Sequence, residues 1–258
     1  MIIMKRKQMR LCISLATGLM LLAGDGFGMA VDLGSAGNFG ALAGSGITFG
    51  GVTTTITGDI GSSPTPAITG LANLILVGEN HLGDAITVQA KADLAAAYAS
   101  AAGATPTMLY GAIFDLGGLT LNPGVYNGSS SLGITGTLTL DANGNADAIW
   151  IFQAGSTLTA ATGSKIVLVN GARAENIVWQ VGSSATLNTD AYFTGTILAL
   201  TSISLDTGAS VLGSLLAQNG AITFNGNTVM VPEANTVSFL ALGLMVLLVV
   251  KRRVSDYL

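Results

Sequence analysis

Charge is scarce in this chain: Asp, Glu, Lys and Arg together make up 9% of its 258 residues. Most of the cations stand at the two ends, so residues 31–230 hold only Lys91, Lys165 and Arg173 against eleven acids, a net charge of −8 with the one histidine neutral. Binding a phosphate backbone needs clustered Lys and Arg. Nucleic acid is thereby excluded as a partner. Cysteine is scarcer still, and the single one, Cys12, sits in the N-terminal segment, so the body of the chain has neither disulfide nor thiolate chemistry. The lone His81 has no Cys or second His for a zinc site, and no G-x-S-x-G elbow accompanies it. A loop or surface position is expected for it. No P-loop signature occurs either, and the glycines read as turn residues.

What is present is 50% hydrophobic residues and 35 glycines, with aliphatic and small side chains alternating with Thr and Ser over most of the length. That composition suits a β-rich body with many tight turns. Both ends look like targeting segments. Lys5, Arg6, Lys7 and Arg10 precede an apolar run, 11–22, and Gly28-Met29-Ala30 resembles a cleavage site. Residues 1–30 are expected to be a secretory signal peptide, leaving signal peptidase as a partner during export. At the other end Val231-Pro232-Glu233 precedes an apolar run over 237–250 and then Lys251-Arg252-Arg253. Residues 231–258 resemble the PEP-CTERM sorting signal, which implies an exosortase partner and a cell-surface destination, although Ala234 stands where the motif has its second Pro. A plain membrane tail through 237–250 is the other reading of that run. The working domain is expected at 31–230.

Repeats organise that domain. Five segments align: 137–141 (TLTLD), 155–159 (GSTLT), 184–188 (SATLN), 202–206 (SISLD) and 221–225 (AITFN). Their apolar anchors Leu140, Leu158, Leu187, Leu205 and Phe224 fall 18, 29, 18 and 19 residues apart. A coil of about 18 residues matches three short strands and three turns. The surplus in the 29-residue interval is expected in a loop at 170–176. A second register supports the same length, because Tyr192 to Ala199 aligns eighteen residues on with Ser210 to Ala217.

Side chains alternate across a strand. The anchors therefore predict an inward Leu/Phe column and an adjacent outward column of Thr139, Thr157, Thr186, Ser204 and Thr223. Flanking outward columns hold Ser184 and Ser202 on one side, and Asp141, Thr159 and Asp206 on the other. One helix is expected, at about 85–102, with Ala90, Leu94, Ala97, Tyr98 and Ala101 on its inner face and Gly103 and Pro106 as its stop.

Catalysis finds little support in this pattern. A solenoid polysaccharide lyase needs a cation or metal beside its carboxylates, and only three cations exist. Asp141 and Asp206 share a predicted column, yet turn capping explains them better than glycosidase chemistry does. No enzyme, cofactor or metal is expected. The hydroxyl columns remain. Strands of stacked coils lie about 4.7–4.9 Å apart, so such columns set methyl and hydroxyl groups at a regular repeat that can hold ordered water. Ice, another crystalline ligand or a glycan fits equally on spacing alone.

The segments 31–39 (VDLGSAGNF), 57–61 (TGDIG), Phe152-Gln153, 178–187 (VWQVGSSATL) and 197–203 (ILALTSI) resemble the microbial ice-binding (antifreeze) β-solenoid family over nearly all of residues 31–230. The resemblance implies a right-handed, three-faced, irregular β-solenoid with one long α-helix packed alongside, adsorbing to an ice crystal surface through one flat face. It also implies a motif near that face of Thr, then Ala or Gly, any residue, then Thr or Asn. Thr159-Ala160-Ala161-Thr162 fits that motif, Thr207-Gly208-Ala209-Ser210 and Asn225-Gly226-Asn227-Thr228 fit loosely, and Asn188-Thr189-Asp190-Ala191 departs from it by a charge. The candidate ice-contacting set is thus Thr139, Thr157, Thr159, Thr162, Ser184, Thr186, Ser202, Ser204, Thr207 and Thr223. The alternative is a cell-surface adhesin or biofilm-matrix protein binding glycan.

Overall fold

A computed structural model describes residues 31–232, so the expected signal peptide at 1–30 and the expected sorting tail, apart from Val231 and Pro232, lie outside the described residues. Among the described residues no helix is long and apolar enough to cross a membrane.

Alternating inward and outward side chains divide the chain into short strands, and glycines mark many corners between them. At Gly195 and Gly213 the backbone adopts φ of 104° and 150°, and at Gly213 an added Cβ would lie 2.1 Å from the Gly195 carbonyl oxygen, so neighbouring coils approach too closely there for any side chain. Each coil contributes one strand to each of three eight-stranded parallel sheets. The coils span 39–57 (I), 59–77 (II), 108–121 (III), 124–141 (IV), 150–169 (V), 177–194 (VI), 196–212 (VII) and 215–230 (VIII). Their order in space is II, I, VIII, VII, VI, V, IV, III. Coil I therefore seats on the last coil of the chain, with Ala41 beside Leu215 and Phe49 beside Phe224.

This order requires a return path from one end of the stack to the other. Helix α1, Ala85–Gly103, supplies it. Nineteen residues rise about 28 Å, close to the roughly 34 Å spanned by eight strands. Asp84 caps its start by accepting from the Thr87 N–H at 2.9 Å. Thr87, Ala90, Leu94, Ala97 and Ala101 are buried, the apolar ones against Leu42, Val125, Ile151, Val178, Leu198 and Leu216 of the first sheet. At its far end the Gln153 amide donates to the carbonyls of Ala101 and Ala104, each at 2.8 Å, which satisfies acceptors the helix leaves open. Lys91 donates to the carbonyls of Ala217 and Gln218, and burial pulls its pKa down to about 8.

The core runs the length of the stack. It includes an aromatic ladder of Tyr110, Tyr126, Phe152, Trp179 and Phe193, in which the Phe152 and Trp179 rings stack at 3.9 Å. The eighteen-residue register holds, with Tyr192 beside Ser210 and Ile197 beside Leu215. The five-segment register does not. Leu140 belongs to the third sheet, beside Leu121 and Leu168, whereas the other four anchors belong to the second. Leu158 is displaced by two residues, pairing with Leu132 and Ala185 instead of stacking on Leu187. Asp141 and Asp206 accordingly share no column. The connections from coil IV to V and from coil V to VI are long, with extended corners at 142–149 and 170–176 before the next first-sheet strand. The second of these is the expected loop, and it contains a short 3-10 turn, Ala174–Asn176.

His81 lies in the loop before α1, one of its two expected positions, but not at the surface. It is buried against Phe39 and lies between two carboxylates, 3.0 Å from Asp84 and 3.4 Å from Asp59.

Candidate functional site

Three faces are available, and α1 covers the first, whose strands Trp150–Ala154 and Ile177–Val181 are buried throughout. The second face is open. Along its strands the residues Ile47, Ile222, Ile203, Ala185 and Leu158 point inward, as do Phe49, Phe224, Leu205, Leu187 and Ala160. The residue between each pair must then point outward. The resulting outward column reads Thr69, Thr48, Thr223, Ser204, Thr186 and Thr159, followed by Gly133 and Asp115 at the coil III end. Six successive coils thus place a short hydroxyl side chain at one register position. The Ser204 hydroxyl donates to Thr186, and Thr69 to Thr48, each at 3.3 Å.

One flanking column on this face holds Ala221, Ser202, Ser184, Thr157 and Ser131, fixed by ladder bonds such as Ala185 N–H to Ser202 O and Leu158 N–H to Ser184 O. Ser131 and Thr157 hydroxyls lie 2.8 Å apart. On the other side the chain turns toward the third face. Thr162 and Thr207 sit at that corner, where Thr207 accepts from the Asn225 amide at 2.9 Å. Asp190 shares the corner in a left-handed conformation, φ 57°, with its N–H bonded to the Thr207 carbonyl.

Of the expected set, Thr159, Thr186, Ser204 and Thr223 form the central column of the second face. Thr157, Ser184 and Ser202 form its neighbour. Thr139 is removed from the group because it projects from the third face, beside Thr120 and Val167. Thr157 leaves the central column for the flanking one, displaced by two residues as Leu158 is. Thr48 and Thr69 were missed. They join through the contact of coil I with coil VIII, which brings residue 48 beside residue 223 and produces no regular spacing. The identical Ile-Thr-Phe of 47–49 and 222–224 was the available signal.

The third face is built differently. Its outward positions mix Thr55, Thr228 and Ser210 with Tyr192 and Lys165 in one column, and Thr57 and Thr139 with Met230, Leu212 and Val167 in the next. The strand 165–169 pairs with 192–194 at a single position, and a groove of about 680 Å³ opens there between Lys165, Val167, Asp190, Tyr192 and Leu212. Neither flatness nor a continuous hydroxyl column is present on this side.

No cluster of metal-ligating residues occurs among the described residues. Asp141 caps its own turn, accepting from the Asn143 N–H and the Asn170 amide at 2.8 Å, and these bonds hold its carboxyl below the usual range. Burial pushes the Asp115 carboxyl up, but the N–H groups of Gly117 and Thr135, each at 2.9 Å, outweigh it and leave the pKa lowered.

Fold and site together define a parallel β-solenoid with one helix-covered face and one open face lined by a six-coil row of hydroxyls. The chain belongs to the ice-binding-like family, whose model matches residues 41–230. It is 49% identical over 199 residues to an ice-binding protein of Nostoc sp. (strain HG1), covering 76% of this chain and 72% of that protein. A Colwellia sp. ice-binding protein is 39% identical, over 85% of this chain and 89% of its own. Among solved structures, an ice-binding protein from the Antarctic ascomycete Antarctomyces psychrotrophicus superposes with a TM-score of 0.77 at 40% identity, covering 80% of this chain and all of the other.

Proposed function

We propose that this chain adsorbs to ice through its second face, and that Thr69, Thr48, Thr223, Ser204, Thr186 and Thr159 form the central contact row. The observation that carries this reading is the unbroken hydroxyl column over six coils on a face free of charge except at its coil III end and its corner. Parallel strands hold the row at intervals of about 4.8 Å. Water ordered between the hydroxyl and methyl groups of a rigid sheet loses little further freedom when it joins a lattice. Thr157, Ser184 and Ser202 widen the row to a surface, and Thr162 and Thr207 edge it. Family membership supports ice over the glycan or crystalline ligands that spacing alone also allows. A paired substitution tests the choice of face: Thr186→Tyr on the second face and Thr139→Tyr on the third, compared by thermal hysteresis. Loss in the first and retention in the second is the expected result, and the reverse overturns the assignment.

Export belongs to the same proposal. The basic start, the apolar run 11–22 and the small residues to Ala30 support cleavage by signal peptidase, and the 231–258 segment supports retention at the cell surface by exosortase processing or through 237–250. Mass analysis of the protein recovered from each cell fraction checks both ends, and an intact N-terminus in the cytoplasm overturns export.

A further inference from the structure

The two ends of the solenoid are unlike. At the coil II end, residues 79–81 close the first-sheet edge, with the Ile60 N–H donating to the Glu79 carbonyl and the His81 N–H to the Ile60 carbonyl, each at 2.9 Å. Asp59, Glu79 and Asp84 add charge, and Pro64 and Pro66 interrupt the chain between its first- and second-sheet strands. These are devices that keep strand edges from pairing with other molecules, and they guard the first-sheet edge, while Ile68–Thr69 and Leu74–Val77 end the other two sheets with Ile75 and Val77 exposed.

Coil III has no described segment closing any of its three edges, and it carries a single charge. Its strands Met108–Tyr110, Ile113–Asp115 and Thr120–Leu121 each end a sheet, with no described strand beyond them. On the second sheet the inner ladder uses the Ala112 carbonyl and the Leu116 N–H, at 2.8 Å each, so the alternation of a parallel ladder turns the N–H and C=O of Ile113 and Asp115 toward the open edge. The one charge of the coil, Asp115, is spent on the N–H groups of Gly117 and Thr135. Leu109 is 72% exposed and Ile113 83%. Beneath them the stacked Tyr110 and Phe114 rings, 3.8 Å apart, end the aromatic core without a cap. Stacked-repeat folds close such ends with polar terminal repeats.

We infer that the coil III end is a self-association surface whose occupant is the coil III end of a second copy. A head-to-tail arrangement would set the coil II end, whose first-sheet edge is already taken by residues 79–81 and which carries Asp59, Glu79 and Asp84, against the coil III end, leaving first-sheet backbone groups of coil III unpaired. A two-fold axis normal to the solenoid instead brings two uncapped, nearly uncharged ends of the same outline together. Such an axis reverses the sense of winding, so facing edge strands run antiparallel and can exchange their open N–H and C=O groups. The low charge of the coil matters in a molecule whose body carries a net charge of −8.

Sedimentation of the full chain in non-ionic detergent, over a range of concentrations, tests the inference against the doubly substituted chain Leu109→Lys/Ile113→Lys. Both positions are exposed, so the variant should keep the far-ultraviolet dichroism and melting temperature of the parent. The expected result is a monomer–dimer equilibrium for the parent and a monomer for the variant. Equal self-association of both chains assigns it to another segment and overturns the inference, as does a parent that stays monomeric throughout. Placing the same two charges at the other end, Leu71→Lys/Val77→Lys, should leave the dimer intact. Thermal hysteresis measured in parallel reports separately on the ice-contacting role of the second face.

Discussion

The second and third faces are made by the same coils, from the same kind of alternating strand, yet only one of them is flat and uniform. On the second face each coil contributes one short side chain between two inward apolar ones, so the outward surface has one height from Thr69 to Thr159. On the third face Tyr192, Lys165, Met230 and Val167 interrupt the threonines, and strand 165–169 loses its neighbour after one paired position. Abundance of threonine is therefore a poor guide to function. Register between coils decides whether hydroxyls become a surface.

The largest effect expected from breaking this contrast follows Thr186→Tyr. A ring standing above the row holds neighbouring hydroxyls off a planar partner, and interfaces depend on close complementarity at their centre. Thermal hysteresis should fall roughly tenfold or more, by the cost of an interface held apart, while Thr139→Tyr on the third face leaves it within error. Circular dichroism should show both variants folded, since neither residue lies in the core. A smaller and finer split is expected between Thr159→Val and Thr157→Val. Each exchanges a hydroxyl for a methyl and removes hydrogen bonds worth about 0.5–1.5 kcal/mol apiece. The central-row variant should lose hysteresis measurably. Thr157 stands in the flanking row and already shares its hydroxyl with Ser131, so its variant should lose less. Equal losses would mean that the two rows contribute alike.

A third substitution asks whether hydroxyls without flatness suffice. Lys165→Thr combined with Tyr192→Thr gives the third face a longer threonine column without restoring the missing strand pairing at 167–169. Introduced into the Thr186→Tyr chain, it should recover little of the lost hysteresis. Substantial recovery would show that composition outweighs shape.

Much of this architecture was legible in the sequence because local alternation and an eighteen-residue repeat are both short-range signals. Coils VI to VIII were read in their observed register for that reason, and α1 within one residue of its observed end. The mistakes share a cause. Thr-Leu-Thr-Leu at 137–140 and Gly-Ser-Thr-Leu at 155–158 end alike and stand eighteen residues apart, yet the extended corner at 142–149 lengthens the path from coil IV to coil V, which shifts the true partner of Leu158 to Leu132. A strand carries no mark of which face of a triangle it occupies. Thr48 and Thr69 were out of reach of periodicity altogether, since their place in the row depends on the first coil docking on the last.

The smallest effect concerns the scaffold beneath both faces and separates stability from ice contact. His81 has a carboxylate at each ring nitrogen, Asp84 at 3.0 Å and Asp59 at 3.4 Å, so only the imidazolium can donate to both. Burial lowers its pKa, but the hydrogen bonds and charges of Asp84 and Asp59 outweigh burial and raise it above 6.5. Asp84 also caps α1, and Asp59 belongs to the edge strand of coil II, so the charged ring ties the helix start to the solenoid. A group whose folded pKa is raised contributes stability that is fully present below its unfolded pKa of about 6.5. That contribution disappears as pH rises through the folded value. Melting temperature should accordingly decline from pH 6 into the alkaline range, and His81→Gln should flatten the decline. Hysteresis per folded molecule should stay level over the same interval, because no group on the second-face hydroxyl row titrates there. A parallel fall in both quantities would tie the ice-contacting row to the helix start and remove the independence argued here for the two regions.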